Sequence, residues 1–237
     1  MQKYLLEHAA QMGLEITGET ANDICTYHEL LVEANKQMNL TRIGEDISEA
    51  CDRNYLDCLA LLPHLKDAKK LIDVGSGAGF PGLPIAIARR DLNIVLMDTL
   101  NKRVEFLQSV VDTLKLDNVK CVHMRCEDAA KSSAYRDAFD IATARAVADM
   151  SVLTEWLLPF VKPGGRMLAL KGANCEEETK VASYAIETLC GAGAEIYNVD
   201  IPGRDWQHKV VEVVKLGRTP ERFPRKPGIA EKRPLKA

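Results

Sequence analysis

The chain has 237 residues, 46% of them hydrophobic and 27% charged, with a formal net charge of −3, which suits one large domain with an appendage. Its longest apolar stretches are strand-sized and broken by charge, which excludes a bilayer-spanning helix, and its near-balanced charge leaves the distribution of basic residues to decide any polyanionic partner. Seven cysteines without a C-x-x-C pair argue against a metal cluster or a disulfide framework, so no metal is expected and a reducing compartment suits them.

The first eight residues lack an apolar core or a small-residue cleavage site, which predicts a cytoplasmic rather than an exported protein. Residues 1–66 read as helices, with apolar side chains at helical spacing through Ile24, Tyr27, Leu30, Leu31 and Ala34, then through Ala50, Tyr55, Leu59 and Leu62. Between them Met38-Asn39-Leu40-Thr41-Arg42-Ile43 offers turn chemistry. This region is expected to be a helical extension, not an independent domain.

From residue 67 to 216 strands and helices alternate. Lys70-Leu71-Ile72-Asp73-Val74 reads as a buried strand opening into Gly75-Ser76-Gly77-Ala78-Gly79-Phe80-Pro81-Gly82, and Pro81 starts a helix. Ile94-Val95-Leu96-Met97 is a second strand ending at Asp98. A helix follows from Asn101 as start signal, with Val104, Leu107, Val111 and Leu114 as its apolar face. Val119 to Met124 is a third strand, leading to Arg125-Cys126-Glu127-Asp128, and Phe139 to Ala144 a fourth, ending at Arg145. Lys162-Pro163-Gly164-Gly165 turns the chain into a fifth, Arg166 to Leu170, ending at Lys171-Gly172; a helix over 175–190 and two strands near 195–199 and 209–216 complete the series. Successive βα units predict an α/β fold with a mostly parallel sheet and helices on both faces. The last two strands lack a helix between them, so the final one should run antiparallel.

Ligands of such sheets bind at the carboxyl ends of the strands. The glycine loop, Asp98, Arg125 to Asp128, Arg145 and Lys171 are therefore expected on one rim. Alternate glycines let backbone N–H groups approach a ligand, and a helix start after them favours an anion. An acid about 20 residues past the glycines is placed to accept hydrogen bonds from a ribose. The sixth position counted from Gly75 is Phe80 instead of the glycine of a dinucleotide fingerprint. Residues 217–237 carry seven Lys or Arg against two acids, with four prolines, and read equally as a basic tail able to touch phosphates or as a solvated terminus.

The G-x-G-x-G loop with an acid two residues ahead resembles motif I of the class I (Rossmann-like) methyltransferases, whose seven-stranded sheet ends in an antiparallel strand. The resemblance sharpens with Asn39-Leu40-Thr41, Asp73 to Gly82, Asp98 to Leu107, Ala144-Arg145-Ala146 and Ala169-Leu170-Lys171-Gly172. Together these resemble the RsmG family, also called glucose-inhibited division protein B, from about residue 20 to the C-terminus. The resemblance implies transfer of methyl from S-adenosylmethionine to N7 of one guanine in 16S ribosomal RNA, with naked RNA, an assembly intermediate or the small subunit as the form met, by a monomer whose loss alters streptomycin sensitivity.

For the cofactor it implies Gly75, Gly77 and Gly79 along the methionine part, Asp98 at the ribose, and Cys126 and Glu127 at the adenine, with Asp73, Ser76, Phe80 and Arg145 as further cofactor-binding residues. For RNA it implies Lys102, Arg125, Arg145 and Lys171, with His208 beside them and Arg204 as a substitute for the arginine missing at Gln207. Asn54, Cys58 and Gln207 stand where the family usually has His, Ser and Arg. Guanine N7 has an in-plane lone pair and no proton, so no general base or covalent nucleophile is required; placement is. Arg125 and Arg145 as partners of Asp128 or Asp149, and Trp206 as a loop anchor, are the structural alternatives. A small-molecule or protein methyltransferase, an NAD-dependent oxidoreductase and an idle RNA-binding module remain open as rival functions.

Overall fold

The computed structural model describes residues 1–42, 46–145 and 147–236. Ile43 of the expected turn, Ala146 of the Ala144-Arg145-Ala146 motif and Ala237 lie outside them.

The N-terminal region is helical as expected. α1 (Gln2–Gln11) leads to α2 (Gly18–Met38), whose first turn is capped by the Thr17 hydroxyl accepting from the Thr20 N–H at 3.0 Å. Asn39 ends α2 in the left-handed conformation. Asn35 then bonds both the N–H and the carbonyl of Thr41, at 3.0 and 2.8 Å, so the helix's own last turn fixes the loop. α3 (Ile47–Ala50), capped by Asp46, widens into a π-helical stretch Cys51–Leu56 and closes as α4 (Asp57–Leu59).

The remaining elements alternate: β1 (Lys70–Val74), α5 (Gly82–Ala88), β2 (Asn93–Asp98), α6 (Asn101–Leu114), β3 (Val119–His123), α7 (Cys126–Ala129), β4 (Phe139–Arg145), α8 (Met150–Leu157), β5 (Val161–Lys171), α9 (Cys175–Val181), α10 (Ser183–Thr188), β6 (Glu195–Val199), β7 (His208–Val214) and α11 (Ile229–Lys232). They build one seven-stranded sheet in the order β3-β2-β1-β4-β5-β7-β6. Neighbours among β1 to β5 run parallel, and β7 is antiparallel to both β5 and β6.

Side-chain alternation along each strand divides the core between the two faces. Leu71, Leu96, Ile141, Leu168 and Val210 pack with the N-terminal helices, α5 and α6; Ile72, Met97, Ala142, Met167 and Val211 pack with α8, α10 and Phe223. The N-terminal helices thus complete one layer of the sheet domain. Ile24, Tyr27, Leu31, Tyr55 and Leu59 are fully buried there.

Four sequence expectations shift. Leu100, not Asn101, occupies the cap of α6, and the Asp98 carboxylate accepts the Leu100 N–H at 2.9 Å in place of an asparagine cap. The helix buries Phe106, Leu107, Val110 and Val111, leaving Val104 and Leu114 at the margins because the stripe is turned toward the sheet. Lys162-Pro163-Gly164-Gly165 lies within β5 instead of ahead of it, since Gly164 and Gly165 exchange backbone bonds with Lys215. The helix expected over 175–190 is two, α9 and α10, meeting at Ala182.

The basic C-terminal segment is folded down. Arg136 donates to the carbonyls of Thr219, Pro220 and Phe223 at 2.8, 3.2 and 2.8 Å, and Arg225 makes a two-pronged ion pair with buried Glu155. Lys215, wholly buried, donates to Leu158 O and Thr219 Oγ1. Composition favoured a loose tail; specific donors and acceptors on the sheet domain overrule it, because Arg136, Lys215 and Arg225 each find partners across the contact.

Candidate active site

The glycine loop is held from below and open above. Gly75 and Ser76 N–H groups donate to Met97 O at 2.8 and 3.0 Å, and Gly79 and Phe80 donate to Ser76 O at 2.7 and 3.0 Å. Gly79 has φ +109, and a Cβ there would lie 2.4 Å from Leu83 Cδ1 and 2.8 Å from the Tyr27 hydroxyl. Only glycine fits. At Gly77, with φ +58, a Cβ would meet nothing nearer than Gly75 O at 3.8 Å, so the side chain is missing over open space. Beneath, Phe80, Tyr27 and Tyr55 form an aromatic cluster with centroids 5.6 to 5.8 Å apart, and the Tyr27 hydroxyl donates to Ala78 O at 2.5 Å.

Asp73 is fully buried; its Oδ2 accepts the Gly82 N–H at 2.9 Å and its Oδ1 has no partner among the described residues. Burial pushes its carboxyl up to about 7, against the opposing pull of the Gly82 N–H. Asp98 ends β2 nearly buried, its Oδ2 accepting the Gly77 N–H at 2.9 Å and facing Arg103 at 3.5 Å.

Two clefts open along this edge of the sheet. The first, about 190 Å³, is lined by Gly75, Asp98, Arg125, Cys126, Glu127 and Trp156, with Glu231 from the C-terminal segment. The second, about 370 Å³, is lined by Arg53, Asn54, Asp57, Arg145, Lys171 and His208. A larger hollow, about 510 Å³, lies near Lys70, Asn93 and Val119, at the opposite ends of the strands from the loop. Volume does not make that hollow the site, because the glycine loop and buried carboxylates are elsewhere.

The expected residues therefore separate into groups. Gly75, Asp98, Arg125, Cys126 and Glu127 share the first cleft. Arg145, Lys171 and His208 share the second. Ser76 and Phe80 are buried supports: the Ser76 hydroxyl donates to Asp73 O at 3.0 Å, and the Phe80 ring fills the aromatic cluster. Lys102 is exposed on the first turn of α6, outside both clefts. Arg204 is also outside them, paired with fully buried Asp52 at 2.7 Å and with Ser48 at 3.1 Å, an anchor between the 203–208 loop and the helical layer.

The second cleft is a charge network. Arg145 donates to Arg53 O at 2.6 Å, sits 3.5 Å from Asp57 Oδ2, and lies over the Phe80 ring at 4.4 Å. Its partner is Asp57, not Asp149. Asp57 Oδ1 also meets His208 Nδ1 at 3.0 Å, so one carboxylate orders both. Lys171 pairs with Glu178 at 2.5 Å and donates to Ala148 O at 3.0 Å. Trp206 packs against Arg53 and Arg204, 4.3 and 5.0 Å from its ring centroid, as a loop anchor. Asp57 and Glu178 escaped the sequence reading. Asp57 sits inside the 54–58 stretch already singled out, whereas Glu178 carried no local signal.

Burial pushes the Cys58 and Cys126 thiols well above the ordinary thiol range, which favours the neutral thiol at both. Among the described residues no group of His, Cys, Asp and Glu has the makings of a metal site, and no helix is long and apolar enough to cross a membrane.

Sheet order, antiparallel last strand, glycine loop after β1 and acid at the tip of β2 define a class I methyltransferase dependent on S-adenosylmethionine. Solved structures with the same fold include an O-methyltransferase from Bacillus cereus in complex with SAH (TM-score 0.54, 15% identity, 80% of this chain and 91% of that one). A tRNA methyltransferase from Aquifex aeolicus is similar to the same degree (TM-score 0.55, 14% identity, 80% and 76%). At such identities they speak for the fold alone.

Sequence similarity identifies the family. The profile of GidB, rRNA small subunit methyltransferase G, matches residues 20–200. Proteins named ribosomal RNA small subunit methyltransferase G from Clostridium perfringens (strain 13 / Type A) and Clostridium botulinum (strain Loch Maree / Type A3) are 47% and 43% identical over 227 residues, 95% of each chain. The chain belongs to the rRNA small subunit methyltransferase G family.

The residues present fit S-adenosylmethionine. The space over Gly77 accepts a ligand where a side chain would intrude, and the buried Asp73 Oδ1 is an acceptor still lacking a donor.

Proposed function

We propose that the chain methylates N7 of one guanine in 16S ribosomal RNA, with the first cleft for the cofactor and the second for the RNA. The observation that carries this reading is Arg145. Its guanidinium covers Phe80 of the glycine loop while it lines the second cleft, so cofactor loop and RNA cleft share a wall.

Bound S-adenosylmethionine supplies a methyl group on a sulfonium. The chain's own work is placement. Gly75, Gly77 and Gly79 shape the cradle for the methionine end, Asp73 Oδ1 awaits its ammonium, Asp98 meets the ribose, and Cys126 and Glu127 flank the adenine. Asp57 keeps Arg145 and His208 in fixed orientation. Lys171 and Arg145 meet phosphates or the O6 edge, and Lys102 and Arg125 extend the basic rim outward. A cation against N7 itself would oppose transfer, since the product base is positively charged. N7 needs no proton removed, so a His208 tied to Asp57 for orientation suits the reaction. The base atom comes from the family resemblance, and the target guanine has to be splayed from its stack, because side chains do not reach into the A-form major groove. The working form is a cytoplasmic monomer acting on the small subunit or an assembly intermediate.

The test is to incubate the protein and tritiated S-adenosylmethionine with small subunits, intact ribosomes and protein-free 16S RNA from a strain lacking the gene. 7-Methylguanine is then mapped by borohydride–aniline cleavage. Label at a single guanine is expected. Cofactor binding without label on any RNA would send the second cleft to a small-molecule substrate.

A further inference from the structure

One end of the cofactor cleft holds features that the reading above does not use. Trp156 on α8 lines the cleft, and its indole Nε1 is buried with no hydrogen-bond partner among the described residues. A buried N–H in that state lacks an acceptor that a ligand or water has to supply. Glu231 on α11 lines the same cleft and is exposed. Its neighbour in the wall, Glu127, is already engaged: Oε1 accepts the Gly228 N–H at 3.2 Å and Oε2 faces Cys126 Sγ at 3.4 Å.

The segment that brings Glu231 there is firmly docked. Arg225 binds Glu155, the residue next to Trp156, through its backbone N–H at 2.9 Å and its guanidinium at 2.5 to 3.0 Å. Phe223 and Ala230 are buried. The matched family profile ends at residue 200, so the segment that carries Glu231 is outside it.

We propose that Trp156 and Glu231 read the edge of the cofactor's adenine, which makes the C-terminal segment a working wall of the cofactor site. An adenine edge presents an amino group that donates and ring nitrogens that accept. The wall of the cleft holds the complementary pair, an exposed carboxylate that accepts and a tryptophan whose indole N–H, covered in the empty cleft, donates once the ring edge turns to the ligand. The inference rests on the cleft being the S-adenosylmethionine site.

Calorimetry with the full chain, Trp156→Phe and Glu231→Gln, using S-adenosylhomocysteine and S-inosylhomocysteine, tests it. The inosyl base carries a carbonyl and a ring N–H where adenine has its amino group and a ring acceptor. The native chain should prefer the adenosyl ligand about tenfold, and each substitution should weaken adenosyl binding roughly five- to tenfold while leaving inosyl binding nearly unchanged. Glu231 is at the surface, so its variant folds even where Trp156→Phe disturbs packing. Amide exchange over residues 226–233 should slow when S-adenosylhomocysteine is added. An unchanged preference in Glu231→Gln, or exchange indifferent to ligand, overturns the proposal and leaves the cofactor cleft standing. A native chain that binds neither ligand overturns both.

Discussion

The two clefts lie side by side on one sheet edge and are built from different materials. The first, proposed for the cofactor, adjoins a loop built of backbone: glycines at positive φ, N–H groups bound to Met97 O, and buried carboxylates near the ends of β1 and β2. The second cleft is made of long side chains held by one another, Arg145 and His208 by Asp57, Lys171 by Glu178. A backbone cradle loses no side-chain entropy on binding, and at Gly79 it leaves no room for a side chain. A network of ion pairs holds its cations ready, and an arriving phosphate must compete with the acids already there. On the proposed reading the first cleft serves one invariant small molecule and the second a large anion that rearranges its surroundings.

Reversing Arg145 breaks that contrast most severely. Arg145→Glu sets a second carboxylate against Asp57 and uncovers Phe80, and RNA methylation should fall more than about a hundredfold, the equivalent of about 3 kcal/mol. Binding of S-adenosylhomocysteine, measured by calorimetry, should fall far less if the clefts are functionally separate. Equal losses in both would merge them into one site.

Next in size is Gly77→Ala. The added methyl enters the cradle while costing the fold only about 1 kcal/mol at its left-handed φ. The dissociation constant for S-adenosylhomocysteine should rise about tenfold with a small change in Tm. Unchanged affinity would show that the ligand does not approach Gly77.

The third effect is on pH. Asp73 has its carboxyl raised to about 7 by burial, so the folded chain holds a proton that the unfolded chain has released. This contribution to stability is complete below the ordinary carboxylate pKa and is lost as pH rises through about 7. Denaturant titrations from pH 4 to 8 should show falling stability in the native chain and a flatter profile in Asp73→Asn. A cofactor ammonium at Oδ1 would favour the carboxylate, so binding near neutral pH should release a proton, visible as a dependence of the calorimetric heat on buffer ionisation.

The smallest effects belong to the outer rim. Lys102→Ala and Arg125→Ala should each reduce the slope of log affinity for RNA against log salt by about 0.7, the value for one single-strand phosphate contact. Cofactor binding should be untouched in both.

Much of the first cleft was legible in the chain because its parts are local. A strand ending in Asp73, glycines at alternate positions and Asp98 at the next strand tip are read over short separations, and βα alternation brings such tips to one edge. The second cleft was half legible. Arg145 and Lys171 were found at their strand ends, but Asp57, which orders the site, comes from a helix ahead of the domain's first strand and touches His208 at the start of its last. No local pattern announces a carboxylate that bridges residues so far apart. Arg204 and Phe80 show the converse: the first was read as a substitute for the arginine missing at Gln207 and the second stood in the glycine motif, and packing used the first as an anchor for Asp52 and the second as a floor for the loop.

The sequence by itself determined the sheet, the cofactor loop and the family, because periodicity and turn chemistry act between neighbours in the chain. Tertiary structure alone decided which acids hold the basic rim. It also decided the fate of residues 217–236, which composition left as a loose basic tail. Arg225 found Glu155, Arg136 found the carbonyls of Thr219, Pro220 and Phe223, and Glu231 came to rest at the cofactor cleft. Buried charge is stable only where a partner waits, and where partners wait is a property of the folded surface.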